Sequence, residues 1–300
     1  MITHPRIRLA IVAIGLFLLI IGIVASRGAD RAASPLGSVS PSTDAAAVLV
    51  GAGDIATCND SNDEATAALL DEIEGTVFTV GDNAYSDGST DDYSECYAPS
   101  WGRHQSRTRP APGNHDYHTA NAEGYYEYFG TRAGGEGGYY AYDLGAWRIY
   151  SLNSEIVSDE QITWLTDDLD ANPSQCVLAY WHHPLFSSGR HGNDKSVRPF
   201  WDALSAAGAD VVVNGHDHDY ERFAPQMPDG VASADGLREF VVGTGGARLR
   251  TFAKIRNNSE VRNAETFGVI ELTLKPTGYD WQFIPASGGT FRDAGSASCH

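Results

Sequence analysis

The stretch Asn214-Gly215-His216-Asp217-His218-Asp219-Tyr220-Glu221-Arg222 follows Val211-Val212-Val213, a β-branched run of the kind that forms a buried strand. Gly215 frees the backbone where that strand ends. His216 and His218 stand two residues apart, so in an extended segment both imidazoles face one side, as ligands of one metal centre must. A His-x-His pair alone is common in surface loops. This one gains weight because earlier segments end the same way: apolar strand, glycine, then a potential ligand.

The first such segment is a strand over residues 47–50, ending in Gly51-Ala52-Gly53-Asp54. A helix is expected over 63–73, with Ala67, Leu70 and Ile73 on one face. A strand over 76–80 then runs into Gly81-Asp82-Asn83-Ala84-Tyr85. Strand, helix and strand at this length make a βαβ unit with parallel strands, so Asp54 and Asp82 leave the same carboxyl edge, where open α/β sheets bind ligands. Arg109-Pro110-Ala111-Pro112 leads into Gly113-Asn114-His115-Asp116, and a tyrosine-rich region over 123–129 is expected to pack over this edge. Two strands over 139–144 and 147–152 form a hairpin around Gly145-Ala146. Ser158-x-x-Gln161 is a capping-box start for a helix striped by Ile162, Leu165 and Leu169. A strand over 176–181 delivers His182-His183-Pro184, and a helix over 196–207 leads back to the opening stretch. Beyond it come a strand over 239–242 with the loop Gly243-Thr244-Gly245-Gly246, and two late strands over 267–274 and 279–284. Interleaved strands and helices, with hairpins in the middle and at the end, predict an α/β fold of two mixed sheets packed together with helices outside.

Among 300 residues, 21 Lys and Arg face 39 Asp and Glu, a net charge of −18. Such a surface repels a phosphate backbone, so no nucleic acid polymer is expected as a partner. A small anionic substrate remains compatible, because bound cations reverse the field locally. Near the N-terminus, Arg6 and Arg8 precede 17 residues without a polar side chain, 9–25, and Arg27 follows. That length is about the minimum for a membrane span. Ala25 makes a poor cleavage site, so a membrane anchor with residues 1–8 in the cytoplasm is favoured over a cleaved signal segment. Either way the rest is exported: a flexible tether over 26–46, then a catalytic domain over 47–300. The four cysteines lack zinc-finger spacing and read as disulfides. Of three pairings, Cys58–Cys96 with Cys176–Cys299 is preferred, since the first ties two loops at one sheet end.

Five segments thus offer Asp54; Asp82 and Tyr85; Asn114 and His115; His182; His216 and His218. Their O and N donors suit Fe, Mn or Zn rather than soft copper. The order Gly-Asp, Gly-Asp-x-x-Tyr, Gly-Asn-His, His-x-Pro, Gly-His-x-His resembles the purple acid phosphatases, a branch of the calcineurin-like metallophosphoesterases, over residues 48–222. The resemblance implies a four-layer α/β/β/α sandwich with two metals at the sheet edge. Asp54, Tyr85 and His218 would hold one metal, Asn114, His182 and His216 the other, and Asp82 would bridge them. Most relatives resemble Asp-x-His at the first motif, whereas this chain has Asp54-Ile55-Ala56; the missing histidine and the added Tyr85 fit together. The long plant members resemble a two-domain design, and here the first motif follows the tether, so no preceding β-sandwich is expected.

Charge then assigns the metals. The first set includes a carboxylate and a phenol whose ordinary pKa is near ~10, so ionising it at acid pH takes a highly charged cation. Fe(III) is expected there, and a divalent Fe, Zn or Mn in the second set, whose own ligands are neutral. Two such cations would bind the phosphate of a small ester and supply a hydroxide that attacks phosphorus in line. His115 and His191 are the candidate proton donors to the leaving oxygen. His183 is read as support or packing. The expected activity is an exported acid phosphatase acting on monoesters. The alternatives are a phosphodiesterase or nucleotidase on the same scaffold, and a surface binding protein without turnover.

Overall fold

The apolar runs become strands buried on both faces, the pattern that parallel blocks require. The structure, a computed structural model, describes residues 45–300. The apolar segment 9–25 and all but the last two residues of the tether lie outside the described residues. No helix among the described residues is long and apolar enough to cross a membrane.

The strands are β1 (Ala47–Ala52), β2 (Thr76–Val80), β3 (Thr108–Ala111), β4 (Tyr140–Leu144), β5 (Trp147–Ser151), β6 (Cys176–Tyr180) and β7 (Val211–Asn214). They continue as β8 (Tyr220–Phe223), β9 (Arg238–Val242), β10 (Ser259–Asn263), β11 (Gly268–Lys275), β12 (Gly278–Pro285) and β13 (Ala294–Ser298). Six form one sheet in the order β13-β12-β11-β1-β2-β3, and seven form the other, β10-β8-β9-β7-β6-β5-β4. Each sheet carries a parallel block: β1, β2 and β3 in the first, β5, β6, β7 and β9 in the second. The remaining pairings are antiparallel. The two mixed sheets expected from the pattern are present.

Side-chain alternation builds the layers. On β6, Leu178 and Tyr180 face the core between the sheets, alongside Leu49 and Ile270. Val177 and Ala179 face outward and pack with Leu165 and Leu204, from the helices Asp159–Ala171 and Arg198–Ala206. The helix Asn62–Glu72 buries Ala67 and Leu70. Truncating a core leucine such as Leu178 to alanine costs about 2–5 kcal/mol, because a lining this tight relaxes only in part.

Four strands were not anticipated, for separate reasons. β3 contains Pro110, which has no N–H to donate; the strand is tolerated because it lies at the sheet edge and pairs only with β2. β8 follows directly on the histidine segment and reads as part of it. β10 and β13 carry few apolar residues and are ordered by pairing with β8 and β12. The capping box is only half formed. The Ser158 hydroxyl accepts from the Gln161 backbone N–H at 3.2 Å, but the Gln161 side chain turns to the preceding loop. Its Oε1 accepts from Asn153 N at 2.8 Å, and its Nε2 donates to Asn153 O and Ile156 O at 3.0 and 2.7 Å. Both preferred disulfides are formed, Cys58–Cys96 and Cys176–Cys299.

Candidate metal centre

Each candidate ligand stands just past the carboxyl end of a parallel strand. Asp54 follows β1, Asp82 and Tyr85 follow β2, and Asn114 follows β3. From the other sheet, His182 follows β6, while His216 and His218 follow β7. Leaving the strands sharply requires unusual backbone. Asp54, Asp82 and His216 have φ of 58°, 50° and 69°, in the left-handed region that costs a non-glycine residue roughly 1–2 kcal/mol. The preceding glycines are fixed by close approach. A Cβ on Gly81 would lie 2.6 Å from His182 Nδ1, and one on Gly215 would lie 2.7 Å from Asp54 Oδ2.

The donors form two groups around one carboxylate. The Tyr85 hydroxyl lies 3.0 Å from Asp54 Oδ1, 3.0 Å from Asp82 Oδ2 and 3.2 Å from His218 Nε2. His182 Nε2 lies 3.1 Å from Asn114 Oδ1, 3.1 Å from His216 Nδ1 and 3.3 Å from Asp82 Oδ2. Asp82 Oδ2 therefore touches both groups, while its Oδ1 accepts from His115 N at 2.8 Å. All seven residues come together in one cluster.

The chemistry of these donors fits a pair of cations. His182 Nδ1 donates to Val80 O at 2.8 Å, so the neutral ring turns a lone pair toward Asp82, Asn114 and His216. His218 Nδ1 likewise donates to Arg248 O at 2.9 Å, and its Nε2 faces Asp54 Oδ1 at 3.3 Å. Acceptors converge on acceptors, and a cation in each group satisfies them together. Proton affinities point the same way. Burial alone pulls His182 down, yet the Asp82 carboxylate lifts it to about 10. Burial pushes Asp82 up, and the His182 imidazolium reverses this and holds it below the carboxylate range. Burial, then His182 and His183, depress His216. Burial, then Asp54 and Asp82, drive the Tyr85 phenol well above its ordinary value, so a phenolate there needs strong positive charge beside it.

The other expected residues take distinct places. His115 Nδ1 bonds to Ser86 O at 2.5 Å, and its Nε2 lies 3.9 Å from Asp82 Oδ2. Its ring packs against Tyr85 at 4.4 Å. His191 lies at the rim, its ring 5.4 Å from that of His216 and its Nε2 2.5 Å from Arg250 Nη1. His183 packs on His216 at 4.2 Å, and its Nδ1 lies 2.9 Å from Glu155 Oε1.

Several supporting residues escaped the sequence reading. Buried Asp116 accepts from Gly113 N at 2.8 Å, Asn83 Nδ2 at 3.0 Å and Tyr93 Oη at 2.7 Å, locking the loops that carry Asp82 and Asn114. Burial, reinforced by Asp82, raises its carboxyl to about 6. Asp217 and Glu221 tie down the loop that carries His191. The Ser187 hydroxyl and His191 N donate to Asp217 at 2.5 and 2.9 Å, and Ser188 N donates to Glu221 at 2.7 Å. Their only signal in the sequence was proximity to the motifs.

The profile of the calcineurin-like phosphoesterases matches residues 48–220, more than half of the chain. This chain is a calcineurin-like phosphoesterase. Within the family it is similar to two purple acid phosphatases of Arabidopsis thaliana. Purple acid phosphatase 18 is 28% identical over 146 residues, covering 46% of this chain and 32% of that protein. Purple acid phosphatase 15 is 33% identical over 93 residues, covering 28% of this chain and 18% of that protein. The chain thus spans a third or less of the length of these curated relatives. Among solved structures, the purple acid phosphatase PPD1 of yellow lupin seeds superposes with a TM-score of 0.65 at 18% identity, over 85% of this chain and 54% of that one. GAP50, the anchor in the inner membrane complex of Plasmodium, gives 0.69 at 13% identity, over 85% and 89%. At these identities the structural likeness establishes the fold: the sandwich of this phosphoesterase family.

Proposed function

We propose that this phosphoesterase hydrolyses phosphate monoesters with Fe(III) among Asp54, Tyr85 and His218 and a divalent Fe, Zn or Mn among Asn114, His182 and His216, bridged by Asp82. The observation that carries this reading is the Tyr85 hydroxyl, 3.0 Å from both Asp54 and Asp82. Ala56 supports it: the Tyr85 backbone N–H donates to Ala56 O at 2.8 Å, so the loop that carries the tyrosine is bonded to the position where relatives carry a histidine. Two cations held there would draw in phosphate oxygens and acidify water.

The chain's own contribution is positioning. Asp82 sits between the two groups, and the carbonyls of Val80 and Arg248 fix the tautomers of His182 and His218. His115 is the better candidate for hydrogen bonding to the leaving oxygen. Its Nδ1 donates to Ser86 O. On the neutral ring Nε2, 3.9 Å from Asp82 Oδ2, therefore carries a lone pair and offers a proton to the leaving oxygen only as the imidazolium. At His191 the guanidinium of Arg250 must be the donor, so Nε2 accepts there and does not present a proton. Burial and Arg250 both lower the pKa of His191. Two disulfides support an oxidising compartment, and export follows from that reading. The complete donor set favours turnover over a purely binding role.

Elemental analysis with a visible spectrum of the purified protein tests the centre. Iron and a phenolate-to-metal band are expected in the wild type, and Tyr85→Phe should remove the band while the protein stays folded. A variant that retains the band overturns the assignment of Tyr85. Faster hydrolysis of p-nitrophenyl phosphate than of its bis ester is expected; the reverse order makes this a diesterase.

A further inference from the structure

The rim of the centre departs from the charge of the chain as a whole. The net charge is −18, yet the loops beside His216 and His218 carry exposed Arg190, Arg248 and Arg250. Arg103, Arg148, Arg222 and Arg238 are paired with carboxylates elsewhere on the molecule, whereas exposed Arg109, Arg256 and Arg292 are stacked on or bonded to neutral groups. None of the three rim arginines forms an ion pair among the described residues. In a chain this rich in acid, guanidinium groups left without a carboxylate are available to an external anion.

Arg250 is also held in place. Its backbone N–H donates to His218 O at 2.9 Å, and its head reaches His191 Nε2, whose ring stands 5.4 Å from that of His216. The side chain therefore runs along the rim from one histidine of the centre toward the other. Both loops beneath it are braced: Ala253 N donates to Ser188 O at 2.8 Å, Arg256 N donates to Ser188 Oγ at 2.9 Å, and Asp217 accepts from Ser187 and His191. The bond to His191 occupies one guanidinium N–H, and no other bond from this side chain is formed among the described residues. A donor fork held at the rim, separated from the His216 ring by the His191 ring, suits a group that projects beyond the reacting phosphate.

Resting on the phosphoesterase reading above, we propose that Arg250, oriented by His191, selects substrates whose leaving group carries a second phosphate. In the simplest such substrate, inorganic pyrophosphate, water adds across the bridge. Its oxygen bonds to the attacked phosphorus, the bond from that phosphorus to the bridging oxygen breaks, and the departing phosphate keeps that oxygen and takes up a proton. Arg250 binds the departing phosphate. His191 acts as a positioning residue.

The test compares kcat/KM for pyrophosphate and for p-nitrophenyl phosphate in the metal-loaded protein. The wild type should favour pyrophosphate, and Arg250→Gln should reduce the ratio at least tenfold, mostly through KM for pyrophosphate. Arg250→Lys, which keeps the charge but not the fork, should fall between. Arg292→Gln removes the same charge from an exposed arginine bonded only to nearby backbone and should leave the ratio in place. Turnover of p-nitrophenyl phosphate with no preference in the wild type, or with an unchanged ratio in Arg250→Gln, overturns the role of Arg250 alone. Inactivity of the loaded wild type toward both substrates overturns the phosphoesterase reading and this proposal with it.

Discussion

Gly81 illustrates how much of the centre is set by single residues. Its φ is +85°, and a methyl group there would meet His182 Nδ1 at 2.6 Å and the Gly113 Cα at 2.8 Å. Gly81→Ala should therefore cost about 2–4 kcal/mol, combining a left-handed alanine with overpacking. It should also push His182 off Val80 O and weaken divalent-ion binding about 10–100-fold, as loss of an orienting partner does. Calorimetry of the metal-free variant and a competitive chelator titration would measure the two effects separately. The candidate ligands were legible in the sequence, because each lies within a few residues of a strand end and four of them, Asp54, Asp82, Asn114 and His216, directly follow a glycine. Arg250, Glu155 and Asp217 were not. Their roles depend on which loops meet in space, and neither residue type nor local spacing records that.

At the scale of the element, the helix Asp159–Ala171 separates two functions within one motif. Ser158→Ala removes only the acceptor for Gln161 N and should cost about 1 kcal/mol, with activity unchanged. Gln161→Ala strips partners from Asn153 N, Asn153 O and Ile156 O, and should cost about 2–3 kcal/mol. It also loosens the loop bearing Glu155, whose carboxylate lies 2.9 Å from His183. Urea melts and kcat for both variants would distinguish a stability defect alone from one that reaches the cleft. The Ser-x-x-Gln pattern correctly marked the start of the helix. Where the glutamine side chain goes is decided by a loop that the pattern does not contain. Central strands such as β6 and β7 were legible because burial on both faces demands continuous apolar residues. β13, with sequence Ala-Gly-Ser-Ala-Ser, was not, since it is ordered by its register with β12 rather than by its own composition.

For the whole molecule, pH acts through carboxyls enclosed by the fold. Glu239 on β9 is fully buried, with Phe186 N as a hydrogen-bond donor at 3.3 Å. Burial, then repulsion from Glu221 among the nearby acids, raises its pKa well above the ordinary 4.5. A raised carboxyl contributes stability that is fully present below its unfolded pKa and is lost as pH rises toward the folded value. Glutamine cannot ionise, so Glu239→Gln should match the wild type near pH 4.5 and melt at increasingly higher temperature than it toward pH 8. A constant difference across that range would show that Glu239 does not titrate in this way. The centre adds a second global term. Ions present at a thousand times their Kd stabilise a folded protein by about 4 kcal/mol, so chelation should lower the melting temperature by several degrees, with restoration on adding metal back.

The donors are divided between the sheets: Asp54, Tyr85 and Asn114 extend from one, His182, His216 and His218 from the other. Either ion would therefore take ligands from both halves of the sandwich and act as a rivet through it. A fragment containing one sheet could hold neither ion. Withdrawing the ions should first let amide protons exchange along the strand ends where the halves meet, before the rest of the interior opens.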